Sequence, residues 1–204
     1  NTSNRSNNKI TREALSLPID GFVFTCFNDP LKISRKEFQI WMRLLKKVDK
    51  SILWLIQPNV IAKKNMISEA INNGIEEERL IFAEEVNLND HLSRHYCGDL
   101  FLATFNFTAA TTANIALASG MPIITLKGKS YSSRMASSIL NSYDLTELIT
   151  SSESEYESLA YELATNKTKF KDIRKKIKEK FNDPFSNSYQ FTRELENIFS
   201  SIIR

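Results

Sequence analysis

Two adjacent threonines, Thr111 and Thr112, stand where an apolar run gives way to a helix in Leu100-Phe-Leu-Ala-Thr-Phe-Asn-Phe-Thr-Ala-Ala-Thr-Thr-Ala-Asn-Ile-Ala-Leu-Ala-Ser-Gly-Met-Pro-Ile-Ile-Thr-Leu126. The first turn of a helix has N–H groups without intrahelical partners and the positive end of the helix dipole. Hydroxyls added there make a cradle for an anion, phosphate above all. A second candidate is Lys32, which closes the loop after the apolar run Phe22-Val-Phe-Thr-Cys-Phe27. A lysine ammonium is a point charge well suited to phosphate oxygens. The spacing therefore points to a phosphate-bearing ligand, provided the fold brings Lys32 and the threonine pair to one edge.

The elements that would position them can be read in order. Asn1 to Asn8 is Asn/Ser-rich and reads as linker, with residues 1–16 ahead of the first domain. The β-rich run at Phe22–Phe27 is the first strand. Ser34 can cap a helix to Val48, in which Phe38, Trp41, Met42, Leu44, Leu45 and Val48 keep a helical period. Ser51–Ile56 is a second buried strand, and a helix over about Ala62–Asn73 follows, closed by Gly74. Leu80–Phe82 gives a third strand, and Asn87 or Asn89 opens a helix to about Tyr96. The strand at Leu100, the Thr-Thr helix and the strand Ile123–Leu126 come next. Ser132–Leu140 is helical, and Leu148-Ile149 gives a last short strand. Helices over Ser152–Thr165, Lys167–Phe181 and Ser188–Ile203 finish the chain. Such alternation predicts an α/β fold with a doubly wound parallel sheet. The simplest strand order is 3-2-1-4-5-6, in which ligands bind outside the carboxyl ends of the strands. The expected organisation is a binding domain over residues 17–150, with helices 151–204 packed on it.

Composition excludes several classes. With five glycines in all, no Gly-x-Gly-x-x-Gly follows the first strand and no P-loop is present. A dinucleotide-dependent dehydrogenase and a P-loop NTPase are thereby disfavoured. The net charge of +3 is too small to argue for nucleic acid. The basic run Lys167–Lys180 carries Phe170, Ile173, Ile177 and Phe181 at helical period, so its charges form the outer face of an amphipathic helix. Nucleic-acid binding through that run is the rival reading. No apolar stretch is long enough to span a membrane. Cys26 and Cys97 fall in apolar segments and read as buried free thiols of a cytoplasmic protein. Neither the cysteines nor the two histidines have metal-ligand spacing. His95 is expected at the surface, and Trp41, Trp54 and Phe38 in the core.

The segment Leu17-Pro-Ile-Asp-Gly-Phe-Val-Phe-Thr-Cys-Phe-Asn-Asp-Pro-Leu-Lys-Ile33 resembles the start of the C-terminal lobe of protein O-GlcNAc transferases. The resemblance continues in order through Gln39–Val48, Ser51–Leu55, Arg79–Phe82, His91-Leu-Ser-Arg94, Ala118-Ser-Gly-Met-Pro122, Ser133–Ser138 and Gln190–Glu196. It implies the Rossmann-like, donor-binding C-terminal lobe of a GT-B glycosyltransferase. Members of that family are usually carried behind tetratricopeptide repeats, and they transfer N-acetylglucosamine from UDP-GlcNAc to protein Ser/Thr. Related bacterial N-glucosyltransferases share the lobe, which keeps UDP-glucose and an Asn acceptor open. By this resemblance Lys32 binds the UDP pyrophosphate, and Thr111 and Thr112 donate to the same phosphates. His91 and Arg94 line the nucleotide pocket. It further implies no metal or other cofactor, a protein acceptor as partner, and an N-terminal lobe without which the segment is inactive.

Departures from the family pattern are concentrated around the same site. Where the family has Gly-His-Thr-Thr-Gly-x-Asp, this chain has Ala109-Ala-Thr-Thr-Ala-Asn-Ile115. The histidine position is Ala110 and the ribose-binding aspartate position is Ile115. Asn114 is adjacent but ~100° round the helix. A lysine that packs on the uracil is replaced by Leu88, and a glutamine near the phosphates by Asp29. A non-catalytic nucleotide- or protein-binding domain descended from the family is the alternative these changes raise.

Overall fold

The computed structural model describes residues 10–181 and 188–202. Six short strands form one parallel sheet: β1 (Val23–Cys26), β2 (Ile52–Ile56), β3 (Leu80–Ala83), β4 (Leu100–Leu102), β5 (Ile123–Leu126) and β6 (Ile149–Thr150). Their order is β3-β2-β1-β4-β5-β6, as the alternation predicts. Helices cover both faces of strands β1, β2, β4 and β5, so their sequences run apolar apart from the buried Thr25 and Thr125. The order reverses between β1 and β4, and the loops leaving these strands diverge to form a crevice at the carboxyl edge.

The helices are α1 (Arg35–Lys47), α2 (Val60–Asn72), α3 (Leu88–Arg94), α4 (Thr111–Ala118), α5 (Tyr131–Ser142), α6 (Glu153–Thr165), α7 (Lys167–Phe181) and α8 (Ser188–Ile202). Most open on a side-chain cap. Ser34 and Glu37 close a capping box on α1, and Asn59, Asn87, Ser130 and Ser152 accept backbone N–H groups of α2, α3, α5 and α6. The Asn59 cap starts α2 at Val60, two residues before the periodicity suggests. Helix α3 is shorter than expected, because the chain tightens into a 3-10 turn over His95–Cys97.

Trp41, Trp54 and Phe38 are buried, as expected. The Tyr156 hydroxyl of α6 donates to the Ala103 carbonyl (3.1 Å) and accepts from Trp41 Nε1 (3.4 Å), so the one phenol joins α6, α1 and the end of β4. Arg79 performs the same service at the amino edge. Its guanidinium donates to the carbonyls of Leu45, Val48 and Ser51 and to the Ser51 hydroxyl. Cys26 and Cys97 are buried free thiols, and burial pushes Cys26 up to about 12.

Of the linker expected over residues 1–16, residues 1–9 lie outside the described residues. The rest is tied down rather than free. Arg12 ion-pairs with Asp99 (2.7 Å) and donates to the carbonyls of Cys97 and Gly21. Helices α6 and α7 pack on the domain, with Ile173 and Ile177 of α7 buried. The described side chains of α8, residues 192–202, are exposed. On the outer face of α7, Lys169, Lys176 and Lys180 pair with Glu162, Glu147 and Asp144, the behaviour of a solvated basic face. Among the described residues no helix is long and apolar enough to cross a membrane.

Candidate functional site

Lys32 and the threonine pair do meet at one edge. The β1 strand leads into a 3-10 turn over Pro30–Lys32, which Asp29 caps by accepting the Leu31 N–H (2.9 Å). Pro30 fixes the first dihedral of this turn. Asp29, a departure from the family pattern, thus builds the turn that presents Lys32. The ammonium of Lys32 lies 4.1 Å from the centroid of the Phe107 ring, in the β4–α4 loop. Among the described residues no carboxylate pairs with it.

A hydrogen-bonded chain fixes that loop against β1. The Thr112 hydroxyl donates to Asn28 Oδ1 (2.8 Å), Asn28 Nδ2 donates to Thr104 Oγ1 (2.7 Å), and the Thr104 hydroxyl donates to the Phe107 carbonyl (2.7 Å). Each hydroxyl proton has one acceptor in this chain, so the orientation of the Asn28 amide is determined. Asn28 is 2% exposed. Sequence reasoning passed over Asn28 and Thr104. The signal was a polar residue directly after an apolar strand, which reads as the start of the Asp-Pro turn.

Helix α4 begins at Thr111 on an N-cap, Ala110, that makes no side-chain cap bond. Its first-turn N–H groups therefore face the crevice without the partner that Ser34, Asn59 or Ser152 supplies elsewhere. Thr111 is exposed there. The Thr112 hydroxyl is committed to Asn28, a bond that ties the first turn of the helix to the end of β1.

His91 and Arg94 approach β1 from the other side. Phe27 and Asn28 are consecutive and project to opposite faces. Asn28 serves α4, whereas Phe27 packs on Trp54, His91, His95 and Arg94. Arg94 is 4% exposed; it donates to the Glu84 carbonyl (2.7 Å) and to His91 Nδ1. Burial lowers its pKa, and burial followed by the charge of Arg94 lowers that of His91. His95, expected at the surface, is fully buried. It bonds the His91 carbonyl through Nδ1 (2.7 Å), and burial takes its pKa down to about 3. Helix α3 and the 3-10 turn after it are inside out: Leu88, Leu92 and Tyr96, at successive i+4 steps, are exposed, while His91, Arg94 and His95 turn inward. Of the other departures, Asn114 is exposed and Ile115 half-buried on α4. Among the described residues no group of three or more His, Cys, Asp or Glu could hold a metal ion.

The arrangement brings one lysine and one helix end without a side-chain cap to a topological switch point, beside a cluster of half-buried His91 with buried Arg94 and His95. Its chain is matched over residues 3–195 by the model of glycosyl transferase family 41. A probable UDP-N-acetylglucosamine–peptide N-acetylglucosaminyltransferase, SEC, from Arabidopsis thaliana is 29% identical over 195 residues, covering 95% of this chain and 20% of the relative. The UDP-N-acetylglucosamine–peptide N-acetylglucosaminyltransferase of Caenorhabditis elegans is 29% identical over 167 residues, covering 82% of this chain and 14% of the relative. Among solved structures, an O-GlcNAc transferase mutant of Thermobaculum terrenum superposes with a TM-score of 0.82 at 26% identity, over 87% of this chain and 35% of that one. WaaG, a glycosyltransferase involved in lipopolysaccharide biosynthesis, shares the fold at a TM-score of 0.64 and 12% identity, over 84% of this chain and 45% of that one. The chain spans about a fifth or less of the length of these two curated relatives. The fold is the Rossmann-like lobe of a GT-B glycosyltransferase, and the chain belongs to glycosyl transferase family 41.

Proposed function

We propose that this chain is the donor-binding lobe of a protein glycosyltransferase and that it holds a UDP-sugar, UDP-GlcNAc in the first instance, at the β1–β4 crevice. The observation that carries the reading is the convergence of Lys32 with the open N-terminus of α4, in a chain of this family. Lys32, Thr111 and the first N–H groups of α4 hold the diphosphate, with His91 beside the nucleoside. In the reaction, an acceptor side chain of a protein attacks the anomeric carbon, the bond to the diphosphate breaks, and UDP leaves with configuration inverted. Negative charge grows on the departing phosphate, where Lys32 and the helix N-terminus stabilise it without a metal. The acceptor, the opposing lobe and tetratricopeptide repeats are the partners this reading requires, and a reducing cytoplasm suits its two buried thiols. Titration calorimetry with UDP tests it: saturable binding is expected, and Lys32→Ala is expected to abolish it.

A second reading is favoured by Leu88, Ala110 and Ile115, which give a non-catalytic nucleotide- or protein-binding domain. Losing a charge-assisted hydrogen bond costs ~1.5–3 kcal/mol and losing a cation over a ring ~0.5–2 kcal/mol. Together these amount to roughly 2–5 kcal/mol, enough to turn a micromolar site into one approaching millimolar. The combined variant Leu88→Lys, Ala110→His, Ile115→Asp discriminates the two. A large gain in UDP affinity marks a decayed donor site, and no gain marks a chain already adapted to its ligand.

A further inference from the structure

The Lys32 ammonium rests on an aromatic face and not on a carboxylate. Its Nζ lies 4.1 Å from the centroid of the Phe107 ring, and among the described residues no acidic side chain pairs with it. A carboxylate partner would neutralise the ammonium and compete with an incoming anion. A ring face attracts the cation through its quadrupole and leaves the charge in place. Both ends of this contact are built in. Beneath the Lys32 turn, the buried carboxylate of Glu37 accepts the Ser34 N–H (2.9 Å) and, from the loop after β4, the Phe105 N–H (3.4 Å), so one side chain ties the two loops together. On the second loop the Phe107 carbonyl accepts from the Thr104 hydroxyl (2.7 Å), and the Thr108 N–H donates to the Ser132 carbonyl (3.0 Å) at the start of α5. The backbone is thus held on both sides of Phe107. Its ring is nevertheless 43% exposed, and Lys32 is half-buried against it.

We propose that Phe107 is a positioning residue for the diphosphate: its ring holds the Lys32 ammonium, charged and unneutralised, at the crevice before and while a nucleoside diphosphate is bound. The proposal rests on the reading of this crevice as the donor site. A lysine stem is flexible, and ordering it on binding weakens affinity. Phe107 removes part of that loss by ordering the stem in the ligand-free protein. The role is electrostatic, so it depends on the electron-rich face of the ring and not on its bulk.

The test has two arms. The first reads the Lys32 side chain in protein with 13C-labelled lysine, its signal assigned by its loss in Lys32→Ala. Protons above a ring face are shielded, so the Lys32 CεH2 signal is expected upfield of those of exposed lysines, with and without saturating UDP. Phe107→Leu is expected to bring it back among them. An unshifted signal in the wild type, or a shift that survives Phe107→Leu, means that the ring does not hold the lysine. A shift lost on saturation with UDP means that the lysine leaves the ring to meet the phosphate. Each of these overturns the proposal. The second arm measures UDP affinity by calorimetry. Phe107→Leu should lose about two- to tenfold, the worth of a cation over a partly exposed ring. Pentafluorophenylalanine in place of Phe107 keeps the outline of the ring and reverses the polarity of its face, and it should lose at least as much. Wild-type affinity in Phe107→Leu overturns the proposal, and so does wild-type affinity in the pentafluoro protein, which would mean that the ring acts by packing alone. Absence of UDP binding in the wild type, with the upfield Lys32 signal present, defeats the donor-site reading and with it the positioning role, while the contact itself stands.

Discussion

Replacing Asn28 by alanine should separate the two halves of the site without touching Lys32. The side chain is buried and joins α4 to the loop after β4 through bonds of 2.8 Å from Thr112 and 2.7 Å to Thr104. Each such bond contributes ~0.5–1.5 kcal/mol net, and the buried Thr104 oxygen left without its donor adds a desolvation cost. The total is about 2–4 kcal/mol, or roughly 5–15 °C in melting temperature for a chain of this size. Thermal melting by circular dichroism measures the first part and UDP calorimetry the second. Asn28→Ala should bind UDP more weakly because the first turn of α4 is no longer fixed. Asn28→Asp keeps the shape and still accepts from Thr112, but when ionised it cannot donate to Thr104, and it sets a negative charge beside the phosphate cradle. Its affinity loss should therefore exceed that of Asn28→Ala. An Asn28→Ala protein that melts with the wild type and binds UDP equally well would refute the idea that this chain of hydrogen bonds holds the helix at the site.

Two further outcomes follow from the packing. His95 has a folded pKa of about 3 against 6.5 for the free ring, because burial outweighs the hydrogen bond to the His91 carbonyl, which acts the other way. The unfolded chain therefore binds the extra proton between these values, and the stability from keeping His95 neutral is complete above about pH 6.5 and falls as the pH drops. The lowered pKa of His91 acts in the same direction. Urea unfolding at pH 7 and pH 5 should show a loss that shrinks by about 2 kcal/mol in His95→Phe; an equal loss in both proteins would contradict the burial argument. Arg79→Met should cost about 2–4 kcal/mol in chemical denaturation, because the carbonyls of Leu45, Val48 and Ser51 lose their shared donor at the amino edge; UDP binding at the far edge should survive in the folded protein.

Much of the fold was legible because covering both faces of a parallel sheet forces continuous apolar strands such as Ile52–Ile56, and because right-handed crossovers leave few orders for six of them. The residues proposed to hold phosphate were picked out for a related reason: a Thr-Thr pair at a helix start and a lysine after the first strand have a local chemical meaning. What was hidden lay in side chains whose polarity opposes their burial. Along α3 and the turn after it the leucines at 88 and 92 face out and His95 faces in, so His95, which matched no family position and was expected at the surface, lies in the core. Rules of local consistency break most often at functional sites, and α3 borders the site proposed above. Asn28 was hidden because its partners, Thr104 and Thr112, are 76 and 84 residues away. The tethering of residues 12–16 was hidden likewise, since Arg12 acquires its meaning from Asp99.

The central claim is that a nucleoside diphosphate binds between the Lys32 turn and the N-terminus of α4. Its most direct test is an amide NMR titration of this chain with UDP, with uridine as the phosphate-free control. The expected result is saturable shifts at Lys32–Ser34, Phe107 and Thr111–Ala113, absent with uridine at the same concentration. Shifts confined to other surfaces, or none up to millimolar UDP, would contradict it.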